Sequence, residues 1–142
     1  MLNRILVAVD GSEGSRKAVR FAMELARLTQ GRLVLLSVLE RPTVVPFGPL
    51  DAFAFSRPES DEQLAAVRSM LDEIGREMPP DRVEKRIEFG TAAEVIVEQA
   101  HAAGADLVVL GSRGHGPVGR WLVGSTTDRV VHHSRVPVTV VP

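Results

Sequence analysis

Between Gly111 and Gly124 the chain places five glycines in fourteen residues: Gly111, Gly114, Gly116, Gly119 and Gly124. Arg113, His115 and Arg120 stand among them, and Ser125-Thr126-Thr127 follows at once. No acidic residue occurs from Leu107 to Thr127. Glycine lets a ligand approach the main chain closely, and clustered backbone N–H groups ringed by cationic side chains bind phosphate. Other chemistries find less here. The chain has no cysteine, which excludes a thiol nucleophile, a zinc-thiolate site and a disulfide. No cluster of carboxylates able to hold two metals stands near the loop. Glycines also serve ordinary turns between strand and helix, but five are more than one turn needs.

Such a loop needs a strand to deliver it and a helix to receive it. The apolar run Leu107–Leu110 ends at Gly111 and reads as the strand. Ser125-Thr126-Thr127-Asp128 opens a helical pattern that runs to about Ser134, and a helix N-terminus adds positive potential where a phosphate would sit. Upstream, Arg4 to Asp10 is a continuous β-favouring run that stops at Asp10-Gly11-Ser12. The period then turns helical to Thr29, with Ala18, Phe21, Ala22, Leu25 and Leu28 expected on the buried face and Gly31 ending the helix. Leu33–Leu39 is a second strand. Ser60–Met78 is a helix, with Leu64, Val67, Leu71, Ile74 and Met78 on one stripe and a capping box at Ser60-Asp61-Glu62-Gln63. Val83–Phe89 carries Glu84, Lys85, Arg86 and Glu88 and suits an edge strand. A helix opened by Gly90-Thr91-Ala92-Ala93-Glu94 ends at Gly104, and Pro137–Val141 is the fifth strand.

Alternation of this kind predicts a single-domain α/β fold over residues 1–142, an open parallel sheet with helices on both faces. Ligands in such sheets bind at the carboxyl ends of the strands, where the strand order reverses. The loops after the first and fourth strands qualify if those strands are neighbours. The segment from Glu40 to Glu59 has no periodicity and holds four prolines and three of the five phenylalanines. It reads as a loop packed on its own domain, a lid, or a partner surface.

A formal net charge of −1 gives no electrostatic reason to expect nucleic acid or an anionic membrane as partner. The segment MLNRILVAVDGS lacks a signal peptide's long apolar core, and nothing approaches the about 20 apolar residues of a membrane span, so a cytoplasmic protein is expected.

Gly111-x2-Gly114-x9-Gly124-Ser125 matches the G-x2-G-x9-G-[S/T] pattern of the ATP-binding branch of the universal stress protein family. ILVAVDGSEGS, GADLVVLGSRGHG and the ending RVPVTVV are similar to the same family, and the resemblance covers essentially the whole chain. It implies the adenine nucleotide alpha hydrolase-like fold with strand order 3-2-1-4-5. It implies ATP, with or without Mg2+, as ligand. Gly111, Gly114, Gly124, Ser125 and Thr126 match phosphate- and ribose-contacting positions. Asp10 matches an adenosine-side position, Ala8 and Val38 match contacts to the adenine, and Arg113 and His115 assist the phosphates. It also implies a homodimer through the fifth strand. The apolar residues Val136, Val138, Val140 and Val141 agree, because an exposed apolar edge invites pairing.

Competing patterns fit less well. Gly114-His115-Gly116-Pro117-Val118-Gly119 spells a dinucleotide fingerprint, but the loop continues past Gly119 and no acid ends the next strand. No lysine precedes Ser125, so it is not a P-loop. A phosphorelay receiver would need an aspartate after the third strand, where Phe89-Gly90 stands. ATP hydrolysis or adenylyl transfer would have only Asp10 and His115 as base candidates, which favours a regulatory protein with slow or no turnover. A dimeric stress protein without nucleotide is the remaining alternative. His132 and His133 are adjacent and point apart, a poor metal pair that suits a helix C-terminus. Trp121 reads as an apolar contact or, alternatively, an adenine-stacking ring.

Overall fold

The apolar run Arg4–Ala8 becomes β1, with Ile5, Leu6 and Val7 wholly buried from both sides. A strand whose successive side chains are all apolar needs cover on both faces, and the fold supplies it. The computed structural model describes residues 1–40, 61–112 and 123–142. The elements are β1, α1 (Glu13–Thr29), β2 (Arg32–Leu39), α2 (Asp61–Gly75), β3 (Val83–Phe89), α3 (Ala92–Ala102), β4 (Leu107–Gly111), α4 (Ser125–His133) and β5 (Val138–Val141). All strand pairs are parallel, in the order β3-β2-β1-β4-β5. The expected α/β fold and strand order are both found. Val7 aligns with Val109 across β1 and β4, and Gly111 aligns with Val141 across β4 and β5.

The pleat sorts the strand residues into two cores. Ile5, Val7, Leu33, Leu35, Leu107 and Val109 pack against α1 and α2. Leu6, Val34, Leu36, Val108 and Leu110 pack against α3 and Val130 of α4. Each such leucine, isoleucine or valine removed from water contributes about 1.5–3 kcal/mol. β3 is an edge strand, as its charges predicted, and β5 forms the other edge with all four residues half-buried.

Two expectations for α1 need correction. Its buried residues are Ser15, Ala18, Val19, Ala22, Met23 and Ala26. Leu28 is 78% exposed and Phe21 40%. The row Ala18, Ala22 and Ala26 turns the small side chains to the sheet, so the helix lies close and the large residues are swung to the flank. The helix also does not end on a left-handed Gly31. Gln30 takes that conformation, with φ +55°, while its N–H and that of Gly31 bond back to Arg27 and Ala26. Gly31 is needed for space, because a Cβ there would lie 2.6 Å from the carbonyl oxygen of Leu2. Gly104 does end α3 left-handed, at φ +62°.

The α2 stripe is largely as read, with Leu71 and Met78 buried and Val67 and Ile74 packed beside them. The helix itself stops at Gly75, and Ser60 of the expected capping box lies outside the described residues. The segment 41–59 lies outside them too. Thr91 stands at the N-cap of α3 without a side-chain capping bond.

Candidate functional site

β1 and β4 are neighbours, so their carboxyl ends lie side by side. Between them the strand order reverses, which is where open parallel sheets bind ligands.

On the β1 side, Ala8 is half-buried and Asp10 exposed. The loop is folded on itself. The Ser12 N–H donates to Oδ1 of Asp10 at 2.9 Å, Gly11 takes φ +82°, and Oγ of Ser12 accepts from the Ser15 N–H at 3.2 Å to cap α1. These bonds fix the turn that follows β1 and start α1 there. Beneath it, the buried hydroxyl of Ser37 donates to the Val9 carbonyl at 2.7 Å and ties the end of β1 to β2. Val38, next along β2, is half-buried.

On the β4 side, the Ser112 N–H donates to the Val141 carbonyl at 2.9 Å and extends the ladder past Gly111. The Gly124 N–H donates to the Ser112 carbonyl at 2.7 Å. Oγ1 of Thr127, a residue 6% exposed, donates to the Gly111 carbonyl at 2.8 Å. Together they fasten the first turn of α4 to the end of β4. Gly124 is the N-cap of that helix and offers no side-chain cap. The N–H groups of Ser125 and Thr126, the first two residues of α4, have no acceptor within the helix. Ser125 is exposed and Thr126 half-buried. The open turn carries the positive end of the helix dipole.

The structure thus gathers Ala8, Asp10, Val38, Gly111, Gly124, Ser125 and Thr126 at one end of the sheet. Arg113, Gly114 and His115 lie outside the described residues, as do Gly116, Gly119, Arg120 and Trp121. Three residues that sequence reasoning passed over also bond or pack at this end of the sheet: Ser37, Thr127 and Gly14, whose main chain meets Gly111. A lone serine within the apolar run of β2 was the one available signal for the first. Among the described residues no group of three histidines or carboxylates stands close enough to hold a metal. His132, in the last turn of α4, places Nδ1 2.7 Å from the Asp128 carbonyl one turn earlier. Two hollows, of about 110 and 290 Å³, lie elsewhere, at the amino end of the sheet beside Arg4 and Arg82 and between α2 and β3.

A five-stranded parallel sheet of this order, with a helix N-terminus at its switch point, is the adenine nucleotide alpha hydrolase-like fold. The model of the universal stress protein family matches residues 1–142, and the chain belongs to that family. It is 31% identical over 140 residues to a putative universal stress protein of Staphylococcus haemolyticus, covering 96% of this chain and 82% of that relative. Universal stress protein UspA from Lactobacillus plantarum shares the fold with a TM-score of 0.79 and 27% identity, over 99% of this chain and 98% of that one. A universal stress protein solved in complex with cAMP has the same fold at 22% identity, with a TM-score of 0.72 over 99% of this chain and 96% of that one.

Proposed function

We propose that this chain is an adenine-nucleotide-binding universal stress protein, a regulatory module of one domain over residues 1–142 that binds ATP and turns it over slowly or not at all. The observation that carries this reading is the first turn of α4, which has no side-chain cap among the described residues and is fastened to the end of β4 by Thr127 and Gly124. Donors held in place before a ligand arrives cost little ordering when it binds. In this reading Gly114, Gly124, Ser125 and Thr126 meet the phosphates and ribose, and Gly111 forms the end of β4 that leads to them. Arg113 and His115 add cationic groups, Asp10 faces the adenosine side, and Ala8 and Val38 flank the base. ATP enters with or without Mg2+. The complex of a like-folded universal stress protein with cAMP supports an adenine nucleotide as the ligand class.

Calorimetry of nucleotide-free protein with ATP, ADP, AMP, cAMP and GTP tests the reading. Saturable binding of adenine but not guanine nucleotides is expected, with a matching fluorescence change from Trp121, the chain's only tryptophan. No binding at millimolar-order nucleotide, a binding free energy weaker than about −4 kcal/mol, sinks it.

The partner in this reading is a second copy, paired through Val136–Val141 in the cytoplasm. β5 is an edge strand of half-buried valines, an arrangement that leaves a row of main-chain groups for another strand. Light scattering should report a dimer, and Val140→Lys a folded monomer, because a lysine on an edge strand opposes pairing. A monomeric parent protein rejects the pairing. Among the described residues no helix is long and apolar enough to cross a membrane.

A further inference from the structure

Gly111 ends β4 against the first turn of α1. A Cβ built there would lie 2.7 Å from both the carbonyl carbon and the oxygen of Gly14, and 3.2 Å from its Cα. Both partners in this contact are main chain, so no flexible side chain can yield. Gly14 is the second residue of α1, in a place where glycine is a poor helix former. On its other side, the Gly111 carbonyl accepts the Thr127 hydroxyl at 2.8 Å. The end of β4 is therefore held between two helix N-termini, α1 by main-chain contact and α4 by a hydrogen bond.

We infer that Gly111 is a positioning residue: its missing side chain seats the first turn of α1, and with it the Asp10–Ser12 loop, against the end of β4. Only the consequence for binding rests on the adenine-nucleotide reading above. The glycine motif invites another role for Gly111, the direct approach of a phosphate. The two roles differ in what one added methyl group does. Blocked phosphate approach weakens only ligands that carry phosphate. A displaced α1 moves Asp10 on the adenosine side, and weakens adenosine and ATP alike.

The full-length Gly111→Ala variant is compared with the parent by amide hydrogen exchange without ligand, and by calorimetry with ATP and with adenosine. The Arg16 amide, bonded to the Ser12 carbonyl at 3.1 Å, reports the seating of α1. It should exchange about tenfold faster while the amides of β1 keep their protection, and both ligands should weaken by one common factor of about tenfold. Ser12→Ala removes the cap on the Ser15 N–H at 3.2 Å and loosens the same turn without touching β4. It should give the same shared loss at smaller size, and it decides the question if Gly111→Ala does not fold. Unchanged Arg16 exchange in Gly111→Ala, or in either variant a loss for ATP with adenosine unaffected, overturns the inference. If the parent binds neither ligand, the nucleotide reading fails by itself, and the Arg16 exchange alone decides whether Gly111 seats α1.

Discussion

The amino end of the sheet and the start of α4 at its carboxyl end are finished in opposite ways. At the amino end, side chains close the main chain. Oδ2 of Asp106 accepts from the Asn3 and Arg4 N–H groups at 2.9 and 3.0 Å. The Arg4 guanidinium donates to the Ala103 carbonyl, and Arg82 donates to the carbonyls of Gly31 and Ala26 at the end of α1. These bonds spend charged side chains on main-chain groups at the starts and ends of strands and helices. At the carboxyl end, α4 begins on a glycine with no side-chain cap, although serine or aspartate would stabilise it more. Charged side chains meet main chain at one end, and α4 starts without a side-chain cap on Gly124 at the other; the first end serves stability, and the second is the end proposed for the ligand.

The sharpest way to break the comparison is to close the open end. Gly124→Asp supplies the carboxylate cap that α4 lacks, and Gly124 has φ −58° and ψ 152°, which aspartate adopts freely. Stability should rise by a few tenths of a kcal/mol, about the difference between glycine and aspartate at an N-cap. ATP affinity should fall on the order of hundredfold, because the new carboxylate occupies the place of a phosphate and repels it. Opposite signs in thermal melting and calorimetry are the expected pair. A variant that binds ATP as well as the parent would place the ligand elsewhere. The complementary change opens the closed end. Asp106→Ala removes an acceptor shared by two N–H groups near the surface, and should cost about 1–2 kcal/mol in denaturant unfolding. Nucleotide affinity should stay unchanged, since Asp106 lies at the far end of the sheet. A joint loss would show that the two ends are coupled.

Much of this architecture was legible in the residues. Ile5–Val9 and Leu107–Leu110 are continuous apolar runs, and only a strand covered on both faces tolerates them. The charges of Val83–Phe89 marked an edge. The face of α1 was not legible, because periodicity weighs large apolar residues, whereas close helix packing selects Ala18, Ala22 and Ala26. Gly31 was read as a conformational device, yet it answers a steric demand set by Leu2, twenty-nine residues earlier in the chain. Asp10, Gly111 and Gly124 stand where the strand and helix patterns put them, just past β1, at the end of β4 and at the start of α4. Ser37, Thr127 and Gly14 were not legible, since their roles are bonds or contacts to main chain across the sheet. A carbonyl or an N–H carries no residue identity for a sequence to display.

The contrast between ends has a weaker parallel between the edges of the sheet. β5 presents valines, whereas β3 presents charges that pair along the surface: Lys85 Nζ lies 2.6 Å from Oδ1 of Asp72, and Arg86 Nε lies 2.6 Å from Oε1 of Glu84. The hydrogen bond from Lys85, reinforced by its charge and then by that of Arg76, holds the Asp72 carboxyl below its ordinary value of 3.8. A carboxyl with a lowered folded pKa contributes stability above its unfolded value, and loses that contribution as pH falls through the folded one. Both side chains are well exposed, so water and salt screen the pair and the effect is the smallest of those proposed. Asp72→Asn should lower the denaturant midpoint slightly at neutral pH, less so in high salt, and not at all well below pH 3.8, where the parent has lost the charge too. A difference that persists in acid would assign the role of Asp72 to packing on β3 and not to charge. The charged edge would then be a means of keeping β3 unpaired, with little part in holding α2 to the sheet.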